Sequence, residues 1–71
     1  MSKFFKALEK HYESKISEAQ ATIDLYFNNP VGIGEHSDIL EELKKYVEIL
    51  DDSNSKLTTL KEFFRPDGTS K

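Results

Sequence analysis

The sequence predicts an all-α protein, an antiparallel two-helix hairpin that dimerises into a four-helix bundle. Two long segments of similar length carry apolar residues at spacings of three and four, which is the pattern of helices that bury one face. A short segment containing Asn, Pro and Gly separates them. The apolar stripe of the second segment is too wide for a single neighbouring helix to cover, so a further partner is expected.

The first helix is predicted from about residue 3 to residue 28. Its charged and polar residues, such as Lys6, Lys10 and Glu13, lie opposite one broad apolar arc. The period of this pattern outweighs the moderate helix propensity of its Ser, Thr and Ile residues. The arc consists of Phe4, Phe5, Leu8, Tyr12, Ile16, Ala19, Ile23, Tyr26 and Phe27.

A loop is predicted at about residues 29–37. Asn29 tolerates the left-handed conformation that often ends a helix, and Pro30 cannot continue the helical hydrogen bonds. Val31 and Ile33 are too apolar for a solvated linker, so we expect them to fold back and close the end of the hairpin. A loop this short makes the two helices antiparallel neighbours.

The second helix is predicted from about residue 38 to residue 65. Asp38 and Glu41 form an Asp version of the capping box at its start. One heptad frame fits the whole segment, and Ser53 is the one polar residue in its central positions. Leu43, Leu50, Leu57 and Phe64 occupy a, while Ile39, Tyr46, Ser53 and Leu60 occupy d.

The run from Asp51 to Ser55 is the one doubtful place in this helix, because Asp, Ser and Asn side chains compete for backbone hydrogen bonds. It contains no Gly or Pro and leaves the heptad frame unbroken, which predicts a continuous helix. A break there would instead give a self-contained three-helix domain. The hairpin domain is thus residues 1–65, and residues 66–71 are predicted to be a frayed polar tail.

The wide stripe predicts a homodimer in which two hairpins pack face to face with two-fold symmetry. A core of this size rarely supplies more than about 3–5 kcal/mol without reinforcement, and the chain has no Cys for disulfides. Ser53 and Asn54 fall at or beside the seam. Asn54 either fixes the register of the bundle or, with Ser53, is partly exposed where the bundle is thin. The predicted partner-binding residues are Ile39, Leu43, Tyr46, Leu50, Leu57, Leu60 and Phe64.

Composition excludes several functional classes. A net charge of −3 and a pI of about 5.3 argue against a nucleic-acid binder, which normally has a basic face. No stretch approaches the roughly 18 apolar residues that span a bilayer, and Lys6, Glu9 and Lys10 interrupt any signal-peptide core. We therefore expect a soluble cytoplasmic protein without nucleic-acid or membrane partners.

No catalytic, cofactor-binding or metal-binding residue is predicted. His11 and His36 are the only histidines and should lie far apart in a hairpin. The Glu-x-x-His motif of di-iron bundles does not occur, and no serine has a companion base. The glycines at 32 and 34 precede a helix, but they lack the spacing of a phosphate-binding loop and the preceding strand, which favours a turn.

Residues 29–36, with the sequence NPVGIGEH, lie between two amphipathic segments. With these flanks, residues 11–64 resemble a group of small uncharacterised proteins encoded by marine tailed phages of the cyanophage type. The resemblance implies a phage or marine metagenomic source and expression in the cytoplasm of a bacterial host. It implies no activity, and it carries over no functional residues.

These observations predict a non-enzymatic, self-associating protein with an accessory or structural role in a phage. The alternative is a small inhibitor or adaptor that binds a host protein through its apolar helix face. A metal-dependent enzyme is a weaker third hypothesis.

Overall fold

The computed structural model describes residues 2–28 and 36–71 and consists of two α-helices packed against each other. Helix α1 spans Lys3–Asn28 and helix α2 spans His36–Phe63. The predicted all-α class and helical hairpin are confirmed. The part of the chain described contains no β-strand beyond one isolated bridge between Phe64 and Ser70.

The two helices run antiparallel. The backbone N–H of Ser2 donates a hydrogen bond to the carbonyl oxygen of Pro66 at 3.0 Å, which joins the start of α1 to the chain just after α2. At the other end, Phe27 lines one surface cleft together with Leu40. The hairpin measures 48 × 15 × 14 Å, so it is only as thick as a single pair of helices.

A narrow apolar seam holds the helices together. Among the described residues, its buried members are Phe5, Ala19 and Ile23 on α1 and Ser53 on α2. The other residues that face the neighbouring helix are half-buried, because the second helix covers each of them on one side and the other side is open to solvent. These are Tyr12, Ile16 and Tyr26 on α1, and Ile39, Leu43, Tyr46, Leu50, Leu57 and Leu60 on α2.

Two small residues lie in the central part of the seam. Ala19 is 0% exposed and Ser53 is 4% exposed, and small side chains at a contact allow two helices to approach closely. Ser53 therefore belongs to the inside of the hairpin, whereas Asn54 is exposed. The expectation that Ser53 and Asn54 are both partly exposed is therefore wrong for Ser53.

Helix α2 continues without interruption through Asp51–Ser55, which confirms the predicted continuous helix over the three-helix alternative. Within the run, Asp52 accepts a hydrogen bond from the Lys56 ammonium at 2.9 Å. Leu50 and Leu57, one heptad apart, both face the seam on either side of the run. Their packing against α1 holds the polar segment helical, since tertiary packing overrides local preference.

Most of the predicted loop lies outside the described residues. Residues 29–35, including the predicted cap at Asn29, the turn at Pro30 and the inward fold of Val31 and Ile33, are in that range. Helix α2 begins at His36, two residues earlier than predicted, with Asp38 in its first turn. An acidic residue there suits the positive end of the helix dipole.

The C-terminal residues differ from their prediction as a frayed tail. Phe64 to Lys71 form a tight turn in which the Arg65 N–H donates to the Thr69 carbonyl at 2.8 Å and the Gly68 N–H to the Arg65 carbonyl at 2.8 Å. Gly68 has a φ of +90°, a conformation that favours glycine. Polar residues were predicted to fray, but here Asp67 and Gly68 supply turn geometry that satisfies the backbone locally.

Candidate interaction surfaces

The predicted partner-binding residues lie mainly inside the hairpin. Ile39, Leu43, Tyr46, Leu50, Leu57 and Leu60 are half-buried in the seam with α1, and Phe64 is exposed beyond the end of α2. The structure brings these residues together as one line along α2. Within one chain, α1 covers much of this line, so the most accessible apolar surface lies beside it.

Two rows of residues, one on each helix, lie along the same side of the seam. We call the surface that they form the front face. The row on α1 consists of residues spaced by seven, about two helical turns, so they lie one above another along the helix. They are Lys6, Glu13, Gln20 and Phe27. The row on α2 consists of Leu40, Val47, Asn54 and Lys61. The rows adjoin each other, because Gln20, Val47 and Asn54 line one shallow cleft over the seam.

The loop half of the front face is apolar. Phe27 is 67% exposed, Leu40 55% and Val47 49%, and they surround the half-buried Leu43. We call these four residues the loop-end patch. Lys44 and Glu48 line the same cleft from α2, so the apolar surface is bordered by one positive and one negative side chain.

A second apolar surface, the terminal patch, consists of Phe4, Leu8, Leu60 and Phe64. These residues line an open cleft of about 220 Å³ with Phe5 at its base. Phe4 is 85% exposed. The C-terminal turn borders this cleft, because Ser2 and Gly68 form its remaining wall.

The terminal patch faces away from the loop-end patch. Leu8 follows Lys6 of the front face by two residues, a rotation of about 200° around the helix axis. On α2, Lys56 follows Asn54 by the same two residues and lines a cleft with Leu8. The hairpin therefore has apolar patches at opposite ends and on opposite faces.

The sequence-based set of partner residues omits the most exposed apolar residues. It does not include Leu40 and Val47 on α2, or Phe4, Leu8 and Phe27 on α1. The signal that distinguishes them is position relative to the seam. In a hairpin, the a and d positions face the other helix of the same chain, so the flanking positions are the ones left accessible.

Two electrostatic interactions outside the patches are local to one segment of the chain, and a third joins the two helices. The Asp52 carboxylate, through its hydrogen bond and its charge, raises the pKa of Lys56 above the ordinary value. The Thr69 hydroxyl and N–H, at 2.6 and 2.9 Å, donate to Asp67 and lower the pKa of that carboxyl. Lys61 and Glu9 form an ion pair of 3.6 Å between the two helices.

His11 and the acidic side chains form no metal site among the described residues. His11 packs edge-to-face against Tyr12, with ring centroids 5.1 Å apart. Residues 2–28 and 36–71 bring together no group of three or more His, Asp or Glu side chains suited to a metal ion. Neither α1 nor α2 is long and apolar enough to cross a membrane.

Comparison with known proteins gives no relative: the chain matches no protein-family model, no curated protein sequence and no solved structure.

Proposed function

We propose that this chain is a non-enzymatic, self-associating protein whose hairpins pack in pairs as a four-helix bundle. The observation that carries the proposal is the thinness of the single hairpin. Among the residues that the structure describes, only Phe5, Ala19 and Ile23 are buried apolar residues, and no large side chain is fully buried. A second hairpin would cover the half-buried side chains that α1 and α2 leave accessible.

The exposed area supports the same proposal. The chain exposes 5357 Å², whereas a compact monomer of 8.2 kDa is expected to expose about 4,500 Å². The excess, roughly 800 Å², equals the area that one partner typically buries in a stable protein–protein interface. Contact with one further copy of the chain would therefore bury about as much area as the excess.

The biological role that we propose is that of a small accessory or structural protein. The clefts of the described residues are open and are lined largely by apolar side chains, which suits contact with another protein surface. The resemblance of residues 11–64 to small phage-encoded proteins supports a role in a phage and expression in the bacterial host cytoplasm.

A second candidate function is that of an inhibitor or adaptor that binds a host protein. It is favoured by the position of the terminal patch, because Phe4 and Leu8 point away from the loop-end patch. An interface between two copies that covers one patch leaves the other exposed. Such a leftover patch is typical of a surface that binds a different partner.

The proposed function is tested by the mass of the protein in solution, measured by light scattering on a size-exclusion column over a wide concentration range. We expect a mass near twice 8.2 kDa at the higher concentrations, falling on dilution. A folded species of 8.2 kDa at every concentration would contradict self-association and favour the adaptor.

The adaptor has its own test in a pull-down from host extract followed by binding of the purified candidate. Saturable binding that is lost in a Phe4→Ser, Leu8→Ser variant would support it. A matched Leu25→Ser variant is the control, because Leu25 is also exposed but lies outside both patches. Equal binding by all variants would contradict a role for the terminal patch.

A further inference from the structure

We propose that two copies associate through their front faces, loop-end patch against loop-end patch, with both hairpins pointing in the same direction. This inference rests on the proposed self-association and specifies the surface and the orientation. The occupant of the loop-end patch is a second copy of this chain.

The apolar part of the argument is that both helices contribute to the patch. Phe27 projects from α1, and Leu40 and Val47 project from α2, on either side of the half-buried Leu43. A surface formed by two helices fits another two-helix surface as the two layers of a bundle. Burial in such a layer removes from water the side chains that α1 and α2 cannot cover for each other.

The polar part of the argument is that the middle of the front face is self-complementary. Gln20 and Asn54 line the cleft next to Val47. Each amide side chain both donates and accepts hydrogen bonds, so it can pair with an identical amide on another copy. A two-fold interface brings identical surfaces together, and amides at its centre meet that requirement. The Asp51 carboxylate lines the same cleft, and because its side chain is exposed we place it at the solvent edge of the interface.

Charges at the border of the patch are also balanced. Lys44 and Glu48 lie one turn apart on α2 and line the same cleft. Lys44 also pairs with Glu41 on its own helix at 3.4 Å, so this border carries both signs of charge, whereas a border of one sign would repel its own copy. This balance favours a second copy over a partner of strong net charge.

The direction of the two hairpins follows from the other half of the front face, which carries Lys6, Glu13 and Lys61. If the copies pointed in opposite directions and overlapped fully, the loop-end patch of one would lie on these charged residues of the other. Desolvating them against Phe27 and Leu40 is unfavourable. Copies that point the same way place apolar residues on apolar residues and amides on amides.

The terminal patch is the weaker candidate for this interface, because the chain's own C-terminal turn occupies its edge. The Ser2 N–H donates a hydrogen bond to the Pro66 carbonyl, and Gly68 lines the cleft. An isolated antiparallel backbone bridge joins Phe64 to Ser70. The turn narrows the surface that two helices could present to two others. No such segment borders the front face among the described residues.

The first experiment compares a front-face variant with a matched terminal-patch variant by light scattering and sedimentation. We expect Leu40→Glu, Val47→Glu to raise the dimer dissociation constant at least about 100-fold, since each buried apolar side chain lost weakens binding about tenfold or more. Phe4→Glu, Leu8→Glu should change it less than about threefold. Circular dichroism of both variants checks that the hairpin is retained.

A milder variant keeps the proposal testable if the double Glu variant fails to fold. Asn54→Asp alters an exposed residue outside the seam and places like charges opposite each other in the proposed interface, so we expect at least about tenfold weaker association that high salt partly restores. Loss of the dimer in the terminal-patch variant alone would overturn the inference while leaving self-association intact. A monomeric wild type would instead refute the proposed function.

The second experiment measures the orientation. The chain has no Cys, so a nitroxide attached to Lys6→Cys reports a single distance between copies. Two layers of helices lie about 10 Å apart, so copies that point the same way should place the labels within about 25 Å. Lys6 lies about ten residues from the middle of α1, so opposed copies would separate the labels by more than about 30 Å. That longer distance would overturn the orientation.

Discussion

Ser53 occupies a d position of the heptad, where a large apolar residue is expected, and yet its small polar side chain is buried. It is one of four buried residues in the described part of the hairpin, and Ala19 is another. Small side chains at both places allow the central turns of α1 and α2 to approach each other closely. The polar residue in the stripe is therefore a packing feature of the hairpin.

This reading predicts the effect of enlarging the side chain. Ser53→Leu should destabilise the hairpin by about 1–3 kcal/mol, because an added branched chain forces the helices apart or takes a strained rotamer. The measurement is urea unfolding followed by circular dichroism at fixed protein concentration. Ser55→Leu is the control, since Ser55 is exposed, and it should change stability by less than about 0.5 kcal/mol. Equal effects of the two variants would contradict close packing at Ser53.

Asp67 is the second residue with a specific local role, because it accepts hydrogen bonds from the N–H and hydroxyl of Thr69. These bonds favour the charged carboxylate and lower its pKa in the folded chain below the ordinary 3.8. A group with a lowered folded-state pKa stabilises the turn above the unfolded-state value. The contribution disappears as the pH falls through the lower folded-state value.

We therefore expect the C-terminal turn to open in acid, below about pH 3.8, while α1 and α2 remain helical at the onset. The amide resonance of Thr69 in an NMR pH titration reports this opening. Asp67→Asn should remove the acid transition, because an amide does not titrate in this range. A Thr69 resonance that is unchanged by acid, or an identical transition in the Asn variant, would contradict the role of the carboxylate.

Helix α2 shows which part of the structure its sequence could predict. The heptad frame from Ile39 to Phe64 identified the side that faces α1 and the continuity through Asp51–Ser55, because a regular apolar period reflects the packing of the whole element. The ends of the helix and the C-terminal turn were predicted less well. They depend on a few local hydrogen bonds, such as those of Asp67 and Gly68, which composition alone does not indicate.

The candidate surface was predicted only in part, for a related physical reason. The sequence showed that the stripe of α2 is wider than one neighbour can cover, which remains the basis of the proposed self-association. It did not show how α1 divides that stripe between covered and accessible positions. That division depends on the rotation of each helix about its own axis, so Phe27, Leu40 and Val47 became evident only in the folded hairpin.

A substitution at Leu50 tests whether the seam between α1 and α2 holds the hairpin together. Leu50 is half-buried, near the middle of α2, and Leu50→Asp places a carboxylate between the helices, where its desolvation is unfavourable. We expect loss of most helicity by circular dichroism and loss of any dimer. Thr58→Asp is the control, because Thr58 is exposed and tolerates a charge. A fully helical Leu50→Asp variant would refute the assignment of the heptad frame.

As a whole, the molecule is a thin rod with a radius of gyration of 15.6 Å, compared with about 11 Å expected for a compact domain of 71 residues. A rod two helices wide has much surface and little interior, which explains why so few of its residues are buried. Pairing along the front face would double the thickness without lengthening the rod. Stability and assembly would then be one property, dependent on protein concentration.

The hydrogen bond between Ser2 and Pro66 has a practical consequence for engineering. It places both described ends of the chain at the same pole of the rod, remote from Phe27 and Leu40. A fluorescent protein, a purification tag or a surface tether fused at either end would project from that pole and leave the opposite one accessible. Because both hairpins of the proposed pair point the same way, a short peptide joining the end of one copy to the start of the next would give a single-chain tandem.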